Sequence, residues 1–127
     1  MIVVLMLAVS VLLVFGQVLL KTAIGDVEAA GTSEIALPAL FLGLMMRPLF
    51  YGSVLSVALG SLIWIYVVRT YELSIAYPLV SLSYVLMLFA GAYFFDEKIT
   101  LVKVLGIFLI SIGIVVLMWG GDPTATE

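Results

Sequence analysis

"IVVLMLAVSVLLVFGQVLLKTAI", residues 2–24, decides what kind of fold this chain can adopt. Its only polar side chains are Ser10, Gln17, Lys21 and Thr22. A membrane-crossing helix needs about 20 mostly apolar residues. In lipid every backbone N–H and C=O must bond within the protein, so such a segment is a helix and not an open strand. The run lacks a basic start and no clear small-residue cleavage site follows it, so a retained span is expected and not a removed signal.

The rest of the chain agrees. Of 127 residues, 65% are hydrophobic and only 10% are charged, and the mean hydropathy is +1.38. Soluble domains are about 45–50% apolar, so too few charges are present here to build a water-facing surface, and an integral membrane protein is expected. The net charge of −3 comes without any basic run, which argues against nucleic acid as a partner. Cys and His are absent. That removes disulfides, thiol nucleophiles, imidazole bases and the usual zinc or haem ligands. No cofactor, no metal and no enzyme activity are expected, since no nucleophile–base pair or metal cluster is visible.

Hydropathy predicts an all-α domain over residues 1–127 with four spans, at about 2–24, 49–68, 75–95 and 102–119. Gly25–Ala36 is the one polar linker of any length. The piece after it, "LPALFLGLMM", is too short to cross, and Pro48 removes a helix donor at its far end. A short interfacial helix is expected there, capped by Thr32 or Ser33; the alternative is a tilted extension of the second span. "RTYELS" and "DEKIT" are tight hairpin turns, and the tail "GGDPTATE" is polar. Trp119 sits where an interfacial anchor belongs. Lys21, Arg47, Lys98 and Lys103 flank linkers one and three, against Arg69 on the other side. The positive-inside rule then places those linkers in the cytoplasm and both termini outside.

Polar side chains inside greasy helices mark candidate sites. Gln17 and Lys21 are one turn apart on the face of Leu13. Lys21 either snorkels to the headgroups or meets a phosphate at a cavity mouth. Gln17 lies deeper and should face protein or water. Tyr77, Ser81 and Tyr84 form one hydroxyl stripe, read either as interhelical hydrogen bonding or as the wall of a wet cavity. Pro78 starts or kinks that helix. Gly52, Ser56 and Gly60 are a small-residue packing face. Trp64 and Tyr66 line a cavity or fill space. Gly106, Ile110 and Gly113 share one face of the last helix and predict a dimer interface. Arg69 and Glu72 read as a surface pair, with a headgroup or gating role as the alternative. Asp96, Glu97 and Lys98 read as a solvated turn.

"GQVLLK" (Gly16–Lys21), "LSIAYPLVSLSYVL" (Leu73–Leu86) and "VLGIFLISIGIVVL" (Val104–Leu117) resemble segments of the drug/metabolite transporter (EamA-like) superfamily. Within it the chain is similar to the small four-helix members, the aminoarabinose-phosphoundecaprenol flippase subunits and the small multidrug resistance exporters. The exporters carry a first-helix glutamate three positions before a glycine; aligned through Gly16, that position is Leu13 here. The resemblance to the flippase subunits extends to Gln17 and Lys21.

That resemblance implies a multi-pass protein of the bacterial cytoplasmic membrane that moves an anionic lipid-linked sugar of the polyprenyl-phosphate type. Lys21 would meet the phosphate, with Arg47 as a second cation. Gln17, Tyr77, Ser81 and Tyr84 would supply neutral hydrogen bonds. A single repeat resembles half of a transporter, so a homodimer or a heterodimer with a related four-helix subunit is implied. The alternatives are a cation or drug exporter and a non-transporting membrane subunit of a glycosyltransferase system.

Overall fold

The computed structural model describes residues 1–31 and 36–120. Within them the protein is all-helical, with α1 (Ile2–Ala30), α2 (Leu37–Met45), α3 (Pro48–Thr70), α4 (Leu73–Val80), α5 (Leu82–Phe95) and α6 (Leu101–Gly120). Helices α1 and α3, and the broken pair spanning Leu73–Phe95, are each long and apolar enough to cross a membrane; α6 is a shorter apolar helix over Leu101–Leu117. This is a multi-pass membrane protein.

Helix α1 runs past the expected end at Ile24 to Ala30. The polar linker is therefore helical over its first half. Tertiary contact explains the extension. Ala23 and Val27 are buried against Leu44 of α2, and a Cβ on Gly43 would lie 2.7 Å from Val27 Cγ1. Docking of α2 holds a segment whose own polarity gives it no reason to stop in lipid. Ala36 occupies the N-cap of α2; the proposed caps Thr32 and Ser33 lie outside the described residues, as do residues 121–127 of the tail. Helix α2 is separate from α3. Arg47 is extended, and Pro48 starts α3 at a position where a missing N–H is harmless.

Helices α1 and α3 make the most extensive contact, antiparallel and along the expected small-residue face. Gly52 lies beside Leu19, and Gly60 beside Leu12. The matching notch on α1 is Gly16. A Cβ there would lie 3.0 Å from Val57 Cγ2 and 3.2 Å from the Ser53 carbonyl. Two apolar clusters close the ends of this pair. One joins Ile2, Met6 and Val9 to Val67, Tyr71, Ile75, Ala76 and Leu79, with Ile114 and Leu117 of α6 against it. The other is the α1–α2–α3 cluster around Val27.

The third span is interrupted at Ser81. Pro78 lies inside α4, and the chain breaks at Ser81, whose hydroxyl donates to the Pro78 carbonyl. The Ser81 amide and hydroxyl both bond the Pro78 carbonyl, a three-residue turn that replaces the regular helical bond at the break.

Candidate functional site

A groove follows α1 where it faces α3 and α4. On α1, Val9, Leu13 and Gln17 recur at one-turn spacing; on α3, Val57 and Ser61 do the same, with Trp64 beyond. One pocket of about 250 Å³ is lined by Leu13, Gly60, Ser61, Trp64 and Tyr77. The next, of about 210 Å³, is lined by Gly16, Gln17, Phe50, Ser53 and Val57. Leu13 and Gln17 are successive rungs of one face of α1, so the two pockets follow one another along that face. Trp64 and Tyr77 meet edge to face with ring centroids 5.1 Å apart. Ser61 donates to the Val57 carbonyl at 2.8 Å, which leaves its lone pairs open. The groove walls are thus apolar, relieved by neutral groups at Gln17, Ser61 and Tyr77. Neither pocket is lined by an Asp or Glu.

Lys21 turns elsewhere. Its ammonium donates to and pairs with Glu97 in the α5–α6 turn and sits 4.3 Å from the centroid of the Phe95 ring. Lys103 of α6 stands 4.0 Å from the other carboxylate oxygen. The Lys21 ammonium, by hydrogen bond and charge, holds the Glu97 carboxyl below its ordinary pKa of 4.5, with Lys103 adding to the effect. Local geometry aims this carboxylate. Asp96 takes a left-handed conformation, φ 51°, at the end of α5, and the Glu97 amide bonds back to the Gly91 carbonyl at 3.2 Å. Gly91 then receives the Glu97 side chain, since a Cβ there would lie 3.0 Å from Oε2.

The remaining sequence-derived candidates are scattered. Arg47 Nη2 donates to the Asp26 carbonyl near the end of α1 at 3.3 Å. Five residues separate Lys21 from Asp26, about 140° of helix rotation, so the two cations meet α1 on different sides. The break at Ser81 divides the hydroxyl stripe: Tyr77 joins the α1–α3 groove, whereas Tyr84 lines a cleft between α5 and α6. Gly106 and Ile110 line that same cleft, and Gly113 faces open space.

Arg69 and Glu72 make no ion pair within 4.0 Å among the described residues. The chain turns extended at Tyr71 and Glu72, so the i, i+3 spacing does not run along one helix. Glu72 instead accepts from the Ser74 hydroxyl at 3.3 Å. Sequence reading also missed Glu97, which it left in a solvated turn. The one local clue is a carboxylate among lysines directly after a span. Its partner Lys21 lies 76 positions away, beyond any spacing rule. No group of His, Cys, Asp and Glu suited to a metal occurs among the described residues.

Comparison with known proteins adds to this geometry. The model of the EamA-like transporter family matches residues 1–119. A protein of Yersinia pestis (strain Pestoides F) named "Probable 4-amino-4-deoxy-L-arabinose-phosphoundecaprenol flippase subunit ArnE" is 33% identical over 115 residues, covering 91% of this chain and 94% of the relative. A protein of the same name from Yersinia pseudotuberculosis serotype O:1b (strain IP 31758) shows the same identity and coverage. One from Hamiltonella defensa is 40% identical over 68 residues, 54% of this chain and 61% of the relative. No solved structure matches the chain.

Proposed function

Because the chain belongs to the EamA-like transporter family, we propose that this membrane transporter moves an anionic, polyprenyl-phosphate-linked sugar across the bacterial cytoplasmic membrane. Relatives matched over nearly their whole length are named as subunits of a flippase for such a lipid. The observation that carries the reading is the chemistry of the α1–α3 groove. Gln17, Ser61 and Tyr77 offer hydrogen bonds without charge, and no carboxylate lines either pocket to repel an anion. Neutral donors replace headgroup water without holding the charge too tightly to release it. The prenyl tail stays in lipid while the sugar phosphate follows the groove. Lys21 and Arg47 supply positive charge beyond the Gln17 end of the groove, whereas Ser81 sits at the α4–α5 junction and Tyr84 stands apart in the α5–α6 cleft.

The groove is open along one side: Gln17 and Tyr77 are both exposed. A second subunit, identical or related, completes the wall. Helix α6 supplies its contact, since its outer face is exposed and apolar and Gly113 admits a close backbone. Linkers one and three face the cytoplasm.

The test is translocation of undecaprenyl-phosphate-linked aminoarabinose in proteoliposomes at matched protein level. Gln17→Leu should slow it without lowering expression, because the change removes a polar group from the membrane. Normal transport by Gln17→Leu would place the path elsewhere. Cation export is the second reading, favoured by the Trp64–Tyr77 pair, whose ring faces attract cations.

A further inference from the structure

We propose that the cleft between α5 and α6 is a binding site for a lipid phosphate, and that Glu97 is its internal, displaceable occupant. The inference rests on the reading of the substrate class given above and assigns it a second site, away from the α1–α3 groove.

The cleft has a volume of about 360 Å³. Its wall is apolar at Met87, Leu88, Val102 and Ile107, with Tyr84 as a hydroxyl and Lys103 and Glu97 as charged residues. That is the shape of a site for a hydrocarbon chain ending in an anion. The charged end is built from three elements. Lys21 comes from α1, Lys103 from α6, and the Glu97 carboxylate stands between them. Two ammonium groups around one carboxylate have the donor set of a phosphate site already filled by an acid of the chain itself. Gly91 seats that acid, since any side chain there would meet Oε2.

Among the described residues, neither lysine pairs with another acid. The Lys103 ammonium makes a further bond only to the Lys98 carbonyl, at 3.3 Å, among the described residues. Asp96, next in sequence to Glu97, pairs with neither lysine among the described residues. All three side chains of the cluster are about half exposed, at 52% for Lys21, 44% for Glu97 and 49% for Lys103. A phosphate can therefore reach both cations when Glu97 swings away. Its departure also loosens the α5–α6 turn from α1, because the Lys21–Glu97 pair is the ionic tie between them among the described residues. Arrival of the lipid and release of the turn are then one event.

The site end of Helix α6 lies near Lys103 and Gly106. Gly113 is about 10 Å further along the helix, so a subunit docked at Gly113 leaves the charged end open.

Binding is measured directly by native mass spectrometry of the purified full chain, with three probes in separate arms: undecaprenyl phosphate, phosphatidylglycerol and inorganic phosphate. Glu97→Gln should tighten undecaprenyl phosphate binding about two- to fivefold, the range expected for removing an exposed competing ion pair. Lys21→Met and Lys103→Met should weaken it, and Glu97→Gln should have no further effect in the double lysine variant. Asp96→Asn removes the same charge next door and should change nothing. Equal tightening by Asp96→Asn, or none by Glu97→Gln, overturns the proposal. Tightening by Glu97→Gln for phosphatidylglycerol or inorganic phosphate but not for undecaprenyl phosphate keeps the displaceable acid and sinks the assigned substrate class. Matched helicity of every variant confirms that folding is intact, and a Glu97→Gln chain that fails to fold is replaced by Glu97→Ala, which removes the same carboxylate and should give the same tightening.

Discussion

Ser56 donates a 2.7 Å hydrogen bond to the Leu12 carbonyl, joining α3 to α1 within their small-residue contact. That carbonyl already serves its own helix, and the serine uses its second lone pair. The approach depends on Gly16, one turn further along α1. A Cβ at Gly16 would press on Val57 and on the Ser53 carbonyl, and the second of these is backbone that cannot rotate away. Ser56→Ala should lower stability by about 0.6 kcal/mol, the average for a hydrogen bond within a membrane bundle. Gly16→Leu should cost more, about 1–3 kcal/mol. Thermal unfolding in bicelles ranks the two; a smaller loss for Gly16→Leu would refute the packing account.

The Lys21–Glu97 tie predicts a pH dependence of definite sign. The folded pKa of Glu97 is lowered by the Lys21 ammonium. Stability from the pair is therefore present above the unfolded value of 4.5 and is lost only as pH falls through the lower folded value. The tie should still hold at pH 4.5, where an ordinary glutamate is half protonated. A carboxyl-carbon NMR titration of Glu97 measures this directly. Lys21→Met should move the midpoint back up toward the ordinary value, and an unchanged midpoint would assign the shift to another cause.

Asp96 carries φ 51° and ψ 30°, the only non-glycine residue at positive φ among those described. Asp tolerates this conformation better than most side chains. Asp96→Gly should keep or improve stability, whereas Asp96→Val should lose about 1–2 kcal/mol from the left-handed backbone alone. Equal unfolding temperatures for the two variants would show that the turn relaxes.

Leu13 stands in the groove beside Trp64 and Tyr77. A proton-coupled cation exporter needs a titratable group within the membrane. The described acids, Asp26, Glu28, Glu72, Asp96 and Glu97, all lie at helix ends or turns and are exposed. Adding tetraphenylphosphonium to the purified protein should release no protons. Stoichiometric release would revive the exporter reading and make Glu72 the first residue to replace.

Gly113 has nothing within 4 Å of a notional Cβ. Gly113→Leu should therefore leave the fold of the single chain intact, with unchanged helicity and unfolding temperature. It should abolish subunit cross-linking through α6 in membranes. Retained cross-linking would move the interface to another face.

Much of the architecture was legible in order along the chain. Apolar runs of spanning length, the start of α3 at Pro48 and the small-residue face of Gly52, Ser56 and Gly60 follow from local rules. Desolvation and helical period act within one segment, so one segment suffices to read them. The end of α1 was not legible, because Val27 is held by α2 and not by its own neighbours.

The candidate site divided along the same line. Sequence alone determined which polar side chains lie within apolar spans, and the resemblance to the exporters, aligned through Gly16, set Leu13 at the position of their acid. Sequence also placed Gln17 on the face of Leu13, which the groove retains. Only the tertiary structure decided that Lys21 meets Glu97, that Tyr77 and Tyr84 serve different cavities, and that Gly106 borders a cleft. The reason is physical. Spacing sets the direction in which a side chain leaves its own helix, but its partner is set by which helix packs there. For Lys21 that partner is a carboxylate 76 residues away, brought within reach by the packing of α5 on α1 and by a turn whose left-handed Asp96 no periodicity predicts.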